Sequence, residues 1–427
     1  MFKRWHWFLV IILLSLGLNS SLAIDEANEF SGKIAIIGTD YNIYTYIAET
    51  DMLMQLTSDA LDGRRYQFPT WSTDGRLAYF CCEASTNALP NAQAHISPNG
   101  EITGEVLYEN EGAFILYASW SPADCGANCR DLAMLTNDVS GLNVDVLRDG
   151  DTPNTTTIGS GAPFYYHWDS TGSQLVFHRG NIDLDIYNRT QNDISDSLQD
   201  SSGTFQTPIW SPIDNRILVG LSGVGDTTNL ATIDNGQTTI LVSDVIGLVS
   251  FLWSPDGRYI AYRTLDQFGF SGLTVVDAVT GDVILADQRI SAISFFWSPD
   301  SQKIAYISVN ESDNGRSASV GLPVNQEFVQ NDTPTEFAWN VLNIETGTNL
   351  SYSSFVPTYE LLYLLTYFDQ FAPSHQLWSP DSRYLLMTGT LSGHLEMSPQ
   401  VYAVDTQDIN ADPIIISDGV FSVWSVE

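Results

Sequence analysis

The chain has 427 residues, of which 51 are acidic and 17 basic, giving a formal charge of −34 at pH 7. Such a field repels phosphate backbones and anionic lipid surfaces, so nucleic-acid binding and peripheral attachment to acidic membranes are not expected. Charged residues make up only 16% and hydrophobic ones 44%, which excludes a disordered acidic chain and provides for a large core.

Residues 1–23 carry the pattern of a signal peptide. Lys3 and Arg4 precede an apolar run over 8–18, and Ser21-Leu22-Ala23 offers a small-residue cleavage site. The run is short for a span of about 20 residues, so cleavage is expected and an uncleaved N-terminal anchor is the alternative. Cleavage leaves 15 basic against 51 acidic residues, with Lys33 and Lys303 the remaining lysines. Residues 24–32 read as a short linker, and Lys33-Ile34-Ala35-Ile36-Ile37 is the first strand.

A recurrent unit follows. Tryptophan ends a hydrophobic stretch at Trp71, Trp120, Trp168, Trp210, Trp253, Trp297, Trp378 and Trp424. The first seven lead into a turn, reading WSTDG, WSPAD, WDSTG, WSPID, WSPDG, WSPDS and WSPDS in order. In such a turn proline presets φ, aspartate bonds its own backbone, and glycine accepts a positive φ. Strand-like runs come next, such as Tyr259-Ile260-Ala261-Tyr262 and Lys303-Ile304-Ala305-Tyr306. A third run (Leu273-Thr274-Val275-Val276-Asp277) and a fourth (Thr239-Ile240-Leu241-Val242) complete four strands per repeat.

The intervals between tryptophans are 49, 48, 42, 43, 44, 81 and 46 residues. A propeller blade of four strands takes about 40–45 residues, so the fold class is all-β, a single β-propeller over 33–427. WSPDG followed by a run such as YIAY resembles the repeat of the TolB-like and WD-like propellers of exported bacterial proteins. The resemblance covers nearly all of the mature chain; the copies at Trp120, Trp168 and Trp210 depart from it at the turn. It implies that the tryptophan strand is innermost in each blade and that the tryptophans pack between blades. The chain then starts in second-strand phase and ends, at Val420-Phe421-Ser422-Val423-Trp424, in first-strand phase. Eight four-stranded blades are expected, the C-terminal strand completing the N-terminal blade.

The long interval holds no second marker, since Trp339 lacks a following turn and reads as a third strand. Two insertions account for the length. One, at about 309–335, is polar; the other, at about 355–375, places Leu361, Leu364, Leu365 and Phe368 at helical spacing. The second is expected to pack as a helix on the propeller, with a docking element or a lid over the channel as alternatives.

Four cysteines in an exported chain invite disulfides. Cys125 and Cys129 lie in an enlarged turn after Trp120 and form the expected bridge. Cys81 and Cys82 sit at the far end of a strand about 20 Å long, beyond reach of that pair. They are expected to form a vicinal bridge or to stay reduced, and a zinc site is the rival reading. Asn154, Asn188, Asn310, Asn331 and Asn349 stand in N-x-S/T form, read as chance occurrences.

No GxSxG, HExxH, Walker or dinucleotide fingerprint occurs. Of the mature chain's histidines (His95, His167, His178, His375 and His394), His167 and His375 stand just before repeat tryptophans, near the expected channel. They are read as strand residues, a proton-transfer or metal pair being the alternative. Asp183, Asp185, Asp193, Asp196 and Asp200 lack calcium-loop spacing and read as a solvated surface. No catalytic, cofactor or metal residue is assigned. The expected function is binding or scaffolding outside the cytoplasm, by a monomer, of a protein, peptide or glycan. The alternative is an exported hydrolase or lyase with a site assembled from several blades. Non-reducing peptide mapping should recover a peptide linked through Cys125 and Cys129; a Cys81–Cys125 link would defeat the pairing.

Overall fold

A computed structural model describes residues 30–426 apart from 62, 83–89, 162–164, 180–182, 199–206, 267–268, 271, 288–289, 310–334 and 396. The polar insertion therefore lies outside the described residues except at its borders. What is described is a β-propeller of antiparallel sheets. A representative sheet runs Gln67–Trp71, Leu77–Cys81, Asn91–Ser97, Glu105–Glu111 in strand order, innermost first. Comparable sheets open at Phe114–Gly126, Tyr166–Trp168, Ile209–Trp210 and Leu248–Trp253, each ending on or carrying a repeat tryptophan.

Two sheets depart from simple order. Lys33–Ile37 pairs on one side with Ile43–Ile47 and on the other with Phe421–Trp424, so one sheet combines the first and last described strands. Ser294–Trp297 opens a sheet of seven strands, with Trp339 on its third strand, Phe337–Asn343. Its fourth strand, Asn349–Pro357, pairs with Tyr384–Leu391 over three positions and thereby joins a quartet to a set of three strands. The Trp378 segment is reduced to single bridges, Trp378 to Leu385 and Gln376 to Trp424. Pro373 and Pro380, which lack an N–H to donate, bracket it.

The tryptophans explain how sheet joins sheet. All eight are 1–7% exposed. In five of them the indole N–H donates to the carbonyl just before the preceding repeat's tryptophan: Trp120 to Thr70 (3.1 Å), Trp168 to Ser119 (3.3 Å), Trp253 to Ile209 (3.1 Å), Trp297 to Leu252 (3.4 Å) and Trp378 to Phe296 (3.2 Å). Each of these five indoles thus buries its surface and satisfies its one donor on the neighbouring blade, whereas the N–H groups of Trp71, Trp210 and Trp424 have no hydrogen-bond partner among the described residues.

The turn after tryptophan is a serine–aspartate clasp. Ser254 Oγ donates to Asp256 (2.6 Å) and accepts the Tyr259 N–H (3.0 Å); Ser298 and Asp300 repeat this at 2.6 Å, with the Lys303 N–H at 2.9 Å. The last turn position has positive φ, held by Gly257 (+69°) but also by Ser301 (+62°) and Ser382 (+61°). At Gly257 a Cβ would meet Ile213 at 2.5 Å. The serines tolerate the strained conformation and put it to use: their hydroxyls accept the N–H groups of Asp256 and Asp300 in the preceding turn, each at 3.0 Å.

The helical insertion enters the channel. Helix α1 (Tyr359–Thr366) is capped by the Thr358 side chain, which accepts the Leu361 N–H, and buries Leu361, Leu364 and Leu365. A short second helix, α2 (Phe368–Phe371), buries all four residues. Phe368 meets Phe295 and Phe296 at ring separations of 4.9 and 6.0 Å, and Phe371 meets Tyr117 and Phe68 at 5.0 and 5.6 Å. The Gln370 amide takes the Tyr166 N–H (3.3 Å) and donates to the Tyr166 carbonyl (3.1 Å), finishing an inner-strand edge. The insertion is thus helical and packs on the propeller, as a plug reaching strands of several blades. Its apolar face is spent inward, because the channel is the nearest place to bury it.

Two corrections follow. Phe30, in the expected linker, is 2% exposed and packs on Tyr384 (5.2 Å) and Trp424 (5.5 Å), so the folded body begins earlier than residue 33. The turn expected at Trp120 is an extension of the strand Phe114–Gly126, which continues to a hairpin at Cys129 with shifted register.

Trp424→Ala should cost ~3–5 kcal/mol through the cavity it leaves, and truncation before Gly419 should lower the melting temperature further; an unchanged melt after truncation would exclude a structural role for the terminal strand. Gln370→Ala should lose about 1–3 kcal/mol by stranding two buried backbone groups, read by urea denaturation.

Candidate functional site

The turns converge on a cavity of about 570 Å³ at one mouth of the channel. Its rim is made of Trp-Ser-Pro turns, including Pro122, Pro212, Pro255, Pro299 and Pro380, and its floor is the C-terminal end of the plug at Ala372, Pro373 and Ser374. Among the described residues lining it, Asp169 alone carries a formal charge. That carboxylate faces its own turn, accepting from Thr171 (2.6 Å), Ser173 (3.0 Å) and the Gln174 N–H (2.9 Å). The mouth therefore carries a single carboxylate, turned to its own backbone, in a strongly acidic protein.

His167 and His375 both reach this region and are held differently. His167 lines the cavity, and its Nδ1 accepts the Trp210 N–H (3.3 Å), which places its proton on Nε2. Burial lowers its pKa to about 4, so it is a neutral donor at the wall. His375 is fully buried behind the floor, with Nδ1 2.7 Å from Ser374 Oγ, and burial lowers its pKa to about 3. Tyr117 completes this group, its hydroxyl 3.1 Å from Ser374 Oγ, which also donates to the Phe371 carbonyl at 3.2 Å. Burial thus biases both imidazoles to the neutral form near pH 7.

The other histidines are elsewhere. His95 is buried and stacked on Tyr79 at 5.2 Å, His178 is buried, and His394 is exposed. The acidic run is not uniformly solvated. Asp193 is exposed, but Asp185, in the middle of the strand Asp183–Asn188, is fully buried. The side chains of Asp183 and Asp196, and all of Asp200, lie outside the described residues.

Cys125 is disulfide-bonded to Cys129 with a Cα separation of 5.2 Å, and Cys81 is bonded to Cys82. Cys125, Cys129 and Asp131 form the one group of metal-ligand type among the described residues. Its sulfurs are bonded to each other, and Asp131 holds Arg148 in a two-pronged pair at 2.9 and 3.1 Å. No other cluster of that type joins the histidines among the described residues.

Sequence reading missed Asp369, Gln370 and Ser374 of the plug and the facing Arg263 and Tyr117. No local signal marks them, since polar residues such as Asp369 and Gln370 are ordinary on an amphipathic helix. Among the described residues, no helix is long and apolar enough to cross a membrane.

No protein-family model matches the chain, and no curated protein matches it. Among solved structures the similarities are low. A eukaryotic initiation factor structure has a TM-score of 0.49 and 11% identity over 92% of this chain and 98% of that one. TolB from Acinetobacter baumannii has 0.36 and 17% over 59% and 62% of the two chains, and a chain of the Mitotic Checkpoint Complex has 0.46 and 14% over 76% and 87%.

Proposed function

We propose that this protein is a binding or scaffolding propeller of the bacterial envelope or exterior, recognising a protein, peptide or glycan at the turn-lined mouth. The carrying observation is the mouth itself: a proline- and hydroxyl-rimmed funnel with one lining carboxylate and a closed floor, supported on a frame of interlocked turns. Rigid scaffolds presenting loops around a concavity suit recognition. The eight-blade count is supported by eight tryptophan-marked segments and by the pairing of Phe421–Trp424 with Lys33–Ile37. Export is supported by the leader pattern of 1–23 and by two disulfides, which persist in oxidising compartments. The mature protein works as a monomer in this reading, without a cofactor.

The test is comparative capture from the native envelope at moderate salt, with wild type and a Ser170→Arg/Pro255→Arg variant. Both positions are exposed at the rim. A reproducible partner whose recovery falls at least tenfold (about 1.4 kcal/mol) in the variant, at unchanged melting temperature, is expected. Equal recovery by both proteins would exclude the mouth, and no partner beyond bare resin would defeat the protein-binding reading.

A further inference from the structure

The plug carries one carboxyl into the channel interior. Asp369 on α2 is 8% exposed, with the backbone N–H groups of Asp369 and Gln370 beside its carboxyl. Opposite stands Arg263 on the strand Tyr259–Asp266, 4% exposed. Its guanidinium lies 4.6 Å from the Phe270 ring centre and 5.1 Å from that of Phe368. Its Nε has no hydrogen-bond partner among the described residues, and the two groups form no direct ion pair. A buried arginine and a buried aspartate thus face each other across the seam between plug and propeller without closing on one another.

The surroundings make Asp369 the group that titrates. The strands packed on α2, Leu248–Trp253 and Ser294–Trp297, bring no titratable side chain. The plug and its neighbours bring phenols: Tyr363 and Tyr367 of the insertion, Tyr165 and Tyr166 before and in the strand Tyr166–Trp168, and Tyr117. Burial pushes Tyr363 up to about 12 and raises Tyr117, Tyr165 and Tyr166 as well. His375 stays neutral, and Arg263, though burial lowers it to about 10, stays charged.

We propose that Asp369 and Arg263 make the plug a proton-operated latch: with the carboxyl protonated α2 stays seated, and with it ionised the helix loosens and opens the floor of the mouth to the channel behind. Burial raises the Asp369 pKa from 3.8 to about 6, outweighing the attraction of Arg263. The seated state therefore binds the proton more tightly than an opened, solvated one. Seating is fully favoured below 3.8 and weakens as pH rises through about 6. Two pH units of difference change the equilibrium by roughly a hundredfold at most. This device is independent of what the mouth binds.

Hydrogen exchange of the full mature protein at pH 5 and 7.5, corrected for intrinsic rates, reads the latch directly. The amides of Phe371, Ala372 and His375, bonded within the plug, should open at least tenfold more often at pH 7.5, while those of the inner sheets do not change. Asp369→Asn should flatten this dependence. Should that variant fold poorly, Arg263→Gln removes the opposing charge and should move the midpoint above that of wild type. Plug protection that ignores pH in wild type, a dependence that persists in Asp369→Asn, or a midpoint unmoved in Arg263→Gln would each overturn the latch.

Discussion

Everything in this molecule depends on an indole reaching across from one sheet to the next. A sheet has two faces to cover, and a ring of sheets can cover them only if consecutive blades meet without gaps. A large flat ring with one donor suits that seam, because it fills the wedge and ties its N–H to a carbonyl at the same position of the preceding blade. The register of the relay matters: from Trp120 through Trp378, each observed indole bond ends on the residue just before a repeat tryptophan. Adjacent blades are therefore held in the same phase, and the turns following the tryptophans arrive together at one mouth.

That phase-locking also sets up the turn layer. Serine and aspartate in each clasp satisfy local backbone groups, and Ser301 and Ser382 reach back to the preceding turn. The mouth is consequently a continuous collar rather than a set of separate loops. Its chemistry is inherited from these structural needs: prolines that shape the turns, hydroxyls that bond them, and indoles that close the seams. The carboxylates that do occur there, Asp169 and the clasp aspartates Asp256 and Asp300, are turned to hydroxyls and backbone N–H groups of their own turns.

The ring was legible in the sequence because its signals are local and repeated. A tryptophan, a turn and an apolar run recur within a short window, and each copy states the same physics. The phase of Lys33-Ile34-Ala35 and of Phe421-Ser422-Val423-Trp424 likewise followed from position within the repeat. The plug was only half legible. Leu361, Leu364 and Leu365 announced a helix, but a helix with one apolar stripe fits the outside of a sheet as well as the inside of a channel. What separated the two was Asp369 and Gln370, polar residues that are ordinary on a solvated helix and informative only once Tyr166 and Arg263 are known to face them. Asp185 misled for the complementary reason: alternation along a strand tells which residues share a face, not whether another sheet covers it.

The tryptophan ring has an optical consequence. Eight of the eleven indoles are repeat tryptophans, all nearly buried, and five of them bond across to the preceding blade. Excitation absorbed at one blade boundary can migrate to its neighbours, and the emission of the whole set comes from sites shielded from water. The protein thus contains its own distributed gauge of blade contact. Separation of a single pair of blades would admit water beside one indole, and that site would act as a sink for its neighbours. The fluorescence of the intact chain reports the weakest seam in the circle rather than the average one.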